Sequence, residues 1–227
     1  MKRIEKSSRV LGLRRLSMVQ LLIALGLLFF LAPFVEEIQG GALIVSGLLS
    51  LVLLSAVLTV ASRGRTLTIA LLLAIPAVVG RWINHFQPHL VPPAIFLVAG
   101  IGLVAFVVVN LLRFVLRASA VDGEVLCASI SAYLMLGLIW TMAYWLVEQL
   151  TPGAFAFNTA TGTKETMEGF NAFCFSFITL STVGYGDITP VSKVARMLAA
   201  TEAMTGLLYV AVLIARLVGL YSTTKSS

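Results

Sequence analysis

The stretch Thr179-Leu180-Ser181-Thr182-Val183-Gly184-Tyr185-Gly186-Asp187 decides how the rest of the chain is read. In an ordinary strand, successive peptide carbonyls point in opposite directions. Turning them the same way requires alternate residues to enter the left-handed region. Gly184 and Gly186 can do so without a side-chain clash. The expected result is a row of uncovered carbonyl oxygens along this stretch. The Thr182 hydroxyl adds one more oxygen at the inner end. Val183 and Tyr185 are expected to point the other way and pack behind the strand. A dehydrated cation needs about eight oxygen neighbours, which such strands supply only when several copies ring one axis. One strand cannot ring an ion, so four chains are expected to assemble as a homotetramer.

The flanks fit this reading. The preceding apolar piece, 170–181, is too short to span a bilayer and reads as a re-entrant segment. A helix from about Asn171 to Ser181 would aim its carboxyl end, with about half a negative charge, at the membrane centre. The stretch 194–219 that follows is long enough to cross. Five more spans precede it, at 16–35, 41–61, 66–83, 92–116 and 124–148. The expected fold is therefore all-α and membrane-embedded, with six transmembrane helices plus a re-entrant pore helix and a filter loop. Polar punctuation separates the spans: Glu36-Glu37 to Gly40-Gly41, Ser62 to Arg65, Gln87-Pro88 and Pro92-Pro93. Asp122 is placed to cap the fifth helix, and Pro76 to kink the third.

Composition excludes a soluble domain. Of 227 residues, 59% are hydrophobic and 11% charged, whereas soluble domains carry about 25% charged residues. Mean hydropathy is +1.00. The net charge of +6 is informative through its placement. Lys2, Arg3, Lys6, Arg9, Arg14 and Arg15 precede the first apolar run, which is long for a signal peptide and lacks a small-x-small cleavage site. With the amino terminus inside, these six join Arg63, Arg65, Arg113, Arg117, Arg216 and Lys225, so 12 of the 16 Lys and Arg residues face the cytoplasm. Arg81, Lys164, Lys193 and Arg196 lie outside. That bias favours an even number of crossings, both termini cytoplasmic, in the cell membrane. It also sets Glu36, Glu37, Glu148, Glu165, Glu168 and Asp187 outside, an acidic mouth suited to concentrating cations. A basic leader without interleaved aromatic residues points to membrane topology rather than nucleic acid. The expected organisation is a basic leader at 1–15, a four-helix domain at 16–117, a linker at 118–124 and a pore domain at 125–227. Only eight residues follow Gly219, so no regulatory module is expected after the last span.

From Val125 to Leu220 the chain resembles the pore module of the potassium channel family, of the six-helix prokaryotic type, through its TVGYGD signature between a sub-spanning and a spanning helix. The resemblance implies that K+ is the permeant ion, bound by Thr182, Val183, Gly184 and Tyr185, with Gly186 and Asp187 supporting the filter. It implies passive, selective K+ permeation and no other cofactor. Self-association and lipid are the expected partners. The family's inner-helix hinge maps onto Gly206; close helix packing is the alternative reading of that glycine. Three departures stand out. Cys174 and Phe175 occupy the positions of a tryptophan pair, so Phe175 would support the filter by packing alone. Ile178 replaces a carboxylate, so Asp187, expected to bond toward the pore-helix region, must find another donor. The fourth span, Pro93 to Leu112, has no arginine ladder, and Arg113 and Arg117 read as anchors; moving one charge through 100 mV is worth about 2.3 kcal/mol. Voltage independence is expected. A weakly selective cation channel and a non-conducting scaffold subunit are the rival readings.

Other residues carry less. Glu202, a carboxylate inside the last span, is read as a brace behind the filter through Thr179 or Ser181, with a proton-sensitive gate as the other possibility. His85 and His89 read as interfacial polar residues, since Pro88 interrupts the helix that a metal pair would need. Trp82, Trp140, Tyr144 and Trp145 suit an aromatic belt or contacts with a neighbouring subunit. Cys127 and Cys174 lack metal-binding spacing and read as small core residues. No nucleophile constellation, phosphate loop or metal cluster suggests an enzyme.

Overall fold

The computed structural model describes residues 2–36, 38, 40–60, 64–87, 90, 92–158 and 165–225, with the side chains of 2–16, 36, 42, 64, 65 and 220–225 excepted. The side chains of the basic leader, Glu36, Arg65 and Lys225, and all of Glu37, Ser62, Arg63, Pro88, His89 and Lys164, therefore lie outside the described residues.

Seven helices and two short strands follow in order. They are α1 (Lys2–Glu36), α2 (Gly41–Val60), α3 (Gly64–Phe86), α4 (Pro93–Arg117), α5 (Gly123–Leu150), β1 (Phe155–Phe157), α6 (Gly169–Leu180), β2 (Ile188–Pro190) and α7 (Lys193–Lys225). All the helices but α6 contain a stretch long and apolar enough to cross a membrane: Ser17–Val35, Leu43–Val60, Thr66–Phe86, Pro93–Arg117, Gly123–Leu150 and Lys193–Gly219. The 12 residues of α6 rise only about 18 Å, short of the roughly 30 Å hydrocarbon core. The chain is an all-α membrane fold of six spans plus one helix too short to be a seventh.

Local sequence sets the helix ends. Asp122 caps α5 by accepting a 2.9 Å hydrogen bond from Val125 N. Pro93 opens α4, where its missing N–H costs nothing. The helix α3 runs unbroken through Pro76. Gly80 lets α3 approach α4 closely, since a Cβ there would meet Phe96 Cβ at 2.9 Å.

Two apolar cores form. The larger joins α1, α2, α4 and α5 through Leu21, Val52, Leu103, Val107, Ala128 and Met135, all buried. The smaller gathers Tyr144, Phe155, Met167, Phe175 and Ile188 around the strands. In the strand pair, β1 and β2 run antiparallel, with Phe155 opposite Pro190 and Phe157 opposite Ile188. Three-residue runs are too short to show strand periodicity, so the sequence did not announce them.

The last helix and α3 are the least covered. Only 11% of the Lys193–Gly219 window is buried, against 44% for Gly123–Leu150, so most of α7 is free to meet lipid or another chain.

Candidate functional site

The loop joining α6 to β2 carries the signature residues. Positive φ angles occur at Thr182 (60°), Gly184 (58°) and Gly186 (79°), every second residue. The glycines were expected to adopt this region; Thr182 was not. A β-branched residue there costs on the order of 1–3 kcal/mol, which the surroundings must offset. The offset comes from the end of α6, whose carbonyls wrap into the loop. Thr182 N donates to Thr179 O at 2.9 Å, and Val183 N to Ile178 O at 2.9 Å. Extending the glycine alternation back by two residues would have identified Thr182.

Among the described residues, the carbonyls of Thr182, Val183, Gly184 and Tyr185 accept no hydrogen bond. An unpaired carbonyl is costly wherever water is excluded. Four in sequence, in an alternating backbone, form an array of oxygens available to a ligand. Val183 and Tyr185 are 55% and 74% exposed in the single chain. Among the described residues of one chain, these two side chains are not packed behind the strand.

The outer end of the loop is tethered by Asn158, whose Nδ2 donates to Gly186 O at 3.0 Å and whose N donates to Asp187 O at 2.7 Å. The expected bond from Asp187 to the pore-helix region is corrected. Its Oδ1 accepts from Ile188 N at 2.9 Å, a partner one residue away. Among the described residues, the carboxylate's hydrogen-bond partner is the first residue of β2.

Behind the loop sits Glu202, fully buried. Its carboxylate accepts from Ser176 Oγ on α6 at 2.6 Å and from the Tyr144 hydroxyl on α5. The expected partners, Thr179 and Ser181, are corrected: Glu202 lies level with the middle of α6, and Ser181 Oγ donates to Phe177 O instead. Three helices thus meet at one carboxylate. Phe175 packs edge-on against Tyr144 at 4.9 Å and Phe155 at 5.6 Å. It contacts no ring of the loop among the described residues, so it steadies α6 rather than Tyr185 directly.

Gly206 lies where α7 crosses the end of α6. A Cβ there would overlap the Leu180 carbonyl oxygen, so only glycine permits the approach. The helix runs unbroken through this position.

Sequence reasoning missed a pattern on α7. Glu202, Tyr209 and Arg216 recur every seven residues, which puts them on one face. Each binds a neighbouring element. Tyr209 donates to Ser129 O at 2.6 Å. Arg216 Nη2 donates to Leu116 O at 3.1 Å and Ala118 O at 2.8 Å, covering the end of α4. A polar residue at each seventh position of an otherwise apolar span was the available signal.

Comparison with known proteins agrees with this geometry over part of the chain. Residues 130–222 match a family model described as ion channel. The match begins within α5, ends within α7 and includes the whole loop. No curated protein and no solved structure matches. By its six apolar spans the chain is a multi-pass membrane protein, and over residues 130–222 it is similar to ion channels.

Proposed function

We propose that four copies of this chain form a potassium-selective channel, with Thr182, Val183, Gly184 and Tyr185 of each lining a common axis. The observation that carries this reading is the run of four carbonyls without hydrogen bonds, held in an alternating backbone. In the proposed tetramer, these oxygens replace the water shell of K+. Gly186 and Asp187 end the filter on the outer side, and Glu202 and Phe175 fix the scaffold behind it. The exposed side chains of Val183 and Tyr185 and the uncovered face of α7 are surfaces that three further copies would bury. Gly206 would serve as the point about which α7 opens, in addition to its packing against Leu180.

Conduction is passive and insensitive to voltage in this reading, since α4 carries Arg113 and Arg117 only in its last two turns. Both termini face the cytoplasm of a cell membrane. Potassium flux and reversal potentials in liposomes containing the purified protein test the proposal, with Gly184→Asp as the inactive control. Equal permeability to sodium and potassium, a monomeric assembly, or a conductance carrying several gating charges would each overturn the corresponding part.

A further inference from the structure

The first four helices do not close completely against the ion channel domain. A partly enclosed cleft of about 70 Å³ lies between α1–α4 and the pair α5 and α6. Leu28, Leu49, Leu53, Phe96 and Phe173 form much of its wall. Arg81 is the charged residue lining it. Its Nε donates to Ser46 Oγ at 3.2 Å, and its guanidinium lies 5.8 Å from the centre of the Trp145 ring. Among the described residues, no carboxylate pairs with Arg81.

Two further features converge on the same cleft. The indole N–H of Trp145 is buried and has no hydrogen-bond partner among the described residues. Gly169 and Phe170, at the amino end of α6, also line the cleft, and the N-cap residue Glu168 gives this end no side-chain hydrogen bond. The Glu168 carboxylate instead accepts from Gln149 Nε2 at 3.0 Å, on the exposed side.

A guanidinium in apolar surroundings calls for a counter-charge. An unsatisfied N–H and the positive end of a helix add to the demand for an anion. The walls, by contrast, suit an aliphatic chain. We propose that this cleft binds an anionic phospholipid from the bilayer, its phosphate on Arg81 and Trp145 Nε1 and one acyl chain against Leu28, Leu49 and Leu53. The cleft admits a short stretch of one chain, and the remainder of the lipid would lie in the bilayer. The lipid would join the first four helices to the pore helix. The inference rests on the chain spanning a membrane and not on which ion passes.

Trp145 is one of three tryptophans, so Trp82→Phe with Trp140→Phe leaves it as the sole reporter in the full-length protein. Brominated phosphatidylglycerol, brominated phosphatidylcholine and brominated stearate are compared as quenchers of its fluorescence in lipid nanodiscs, with inorganic phosphate as competitor. Phosphatidylglycerol is expected to quench at a mole fraction about fivefold lower than phosphatidylcholine, the factor that one basic residue near an anionic headgroup supports. Arg81→Gln is expected to abolish that preference, and Arg81→Lys to keep it, which separates loss of charge from loss of fold. Equal quenching by the two phospholipids, or a preference that survives Arg81→Gln or is lost in Arg81→Lys, overturns the proposal. Stronger quenching by stearate, or displacement of phosphatidylglycerol by inorganic phosphate, overturns the assignment of a phospholipid. None of these readouts involves ion flux, so failure here and failure of the channel reading are distinguishable.

Discussion

Ser176 on α6 and Glu202 on α7 are joined by a 2.6 Å hydrogen bond inside a fully buried pocket, and the Tyr144 hydroxyl from α5 completes the set. A carboxylate placed there holds the helix before the α6–β2 loop to the helix after it.

Removing that carboxylate leaves the Tyr144 hydroxyl buried without its partner, while Ser176 Oγ keeps only the Gly137 carbonyl at 2.8 Å. Glu202→Ala is expected to destabilise the folded protein by about 3 kcal/mol, and Ser176→Ala or Tyr144→Phe by about 1–2 kcal/mol each. Glu202→Gln, which keeps the shape, should lie between them. Thermal unfolding of the detergent-solubilised protein measures the order. Wild-type stability in Glu202→Gln together with unchanged potassium flux would remove the bracing role.

Thr182 holds a backbone that glycine would adopt without strain. Thr182→Gly is therefore expected to relieve strain on the order of 1 kcal/mol while removing the hydroxyl from the α6 end of the loop. Reversal potentials should show weakened preference for potassium over sodium. Gly184→Ala has the opposite thermodynamic sign, costing about 1–2 kcal/mol, and should abolish flux.

Gly206 and the Leu180 carbonyl leave no room for a methyl group. Gly206→Ala is expected to push α7 from α6 and to cost about 1–3 kcal/mol. A larger substitute, Gly206→Leu, should prevent assembly, which size-exclusion chromatography with light scattering would report.

Asn158, the residue after β1, ties down the β2 end of the loop. Asn158→Ala removes the bond to the Gly186 carbonyl and should cost about 1 kcal/mol locally. The expected signature is faster loss of current during sustained conduction, recorded in planar bilayers.

How much of this was readable beforehand depended on the range of the interaction. The six spans and the sub-spanning helix were legible because bilayer thickness imposes a length that any apolar run either meets or misses. Asp122 was legible as a cap because its partner lies three residues on. The loop's two glycines declared their backbone, but Thr182 did not, since a threonine is normally evidence against a left-handed turn. The partners of Glu202 were named wrongly because they come from helices 26 and 58 residues away. Spacing along α7 could show which face Glu202 occupied, but not what stood opposite. The Asn158 tether and the β1–β2 pair were invisible for the same reason.

The heptad of bonds along α7 limits how that helix can move. Turning it about its own axis by one residue, about 100°, would detach Glu202, Tyr209 and Arg216 together. Swinging away only the end that bears Arg216 requires one guanidinium to release two carbonyls while the other two attachments stay closed. Its movement therefore has a direction written into it, unfastening from the far end toward the loop like a zip, and the bond at Glu202 is the last to give way.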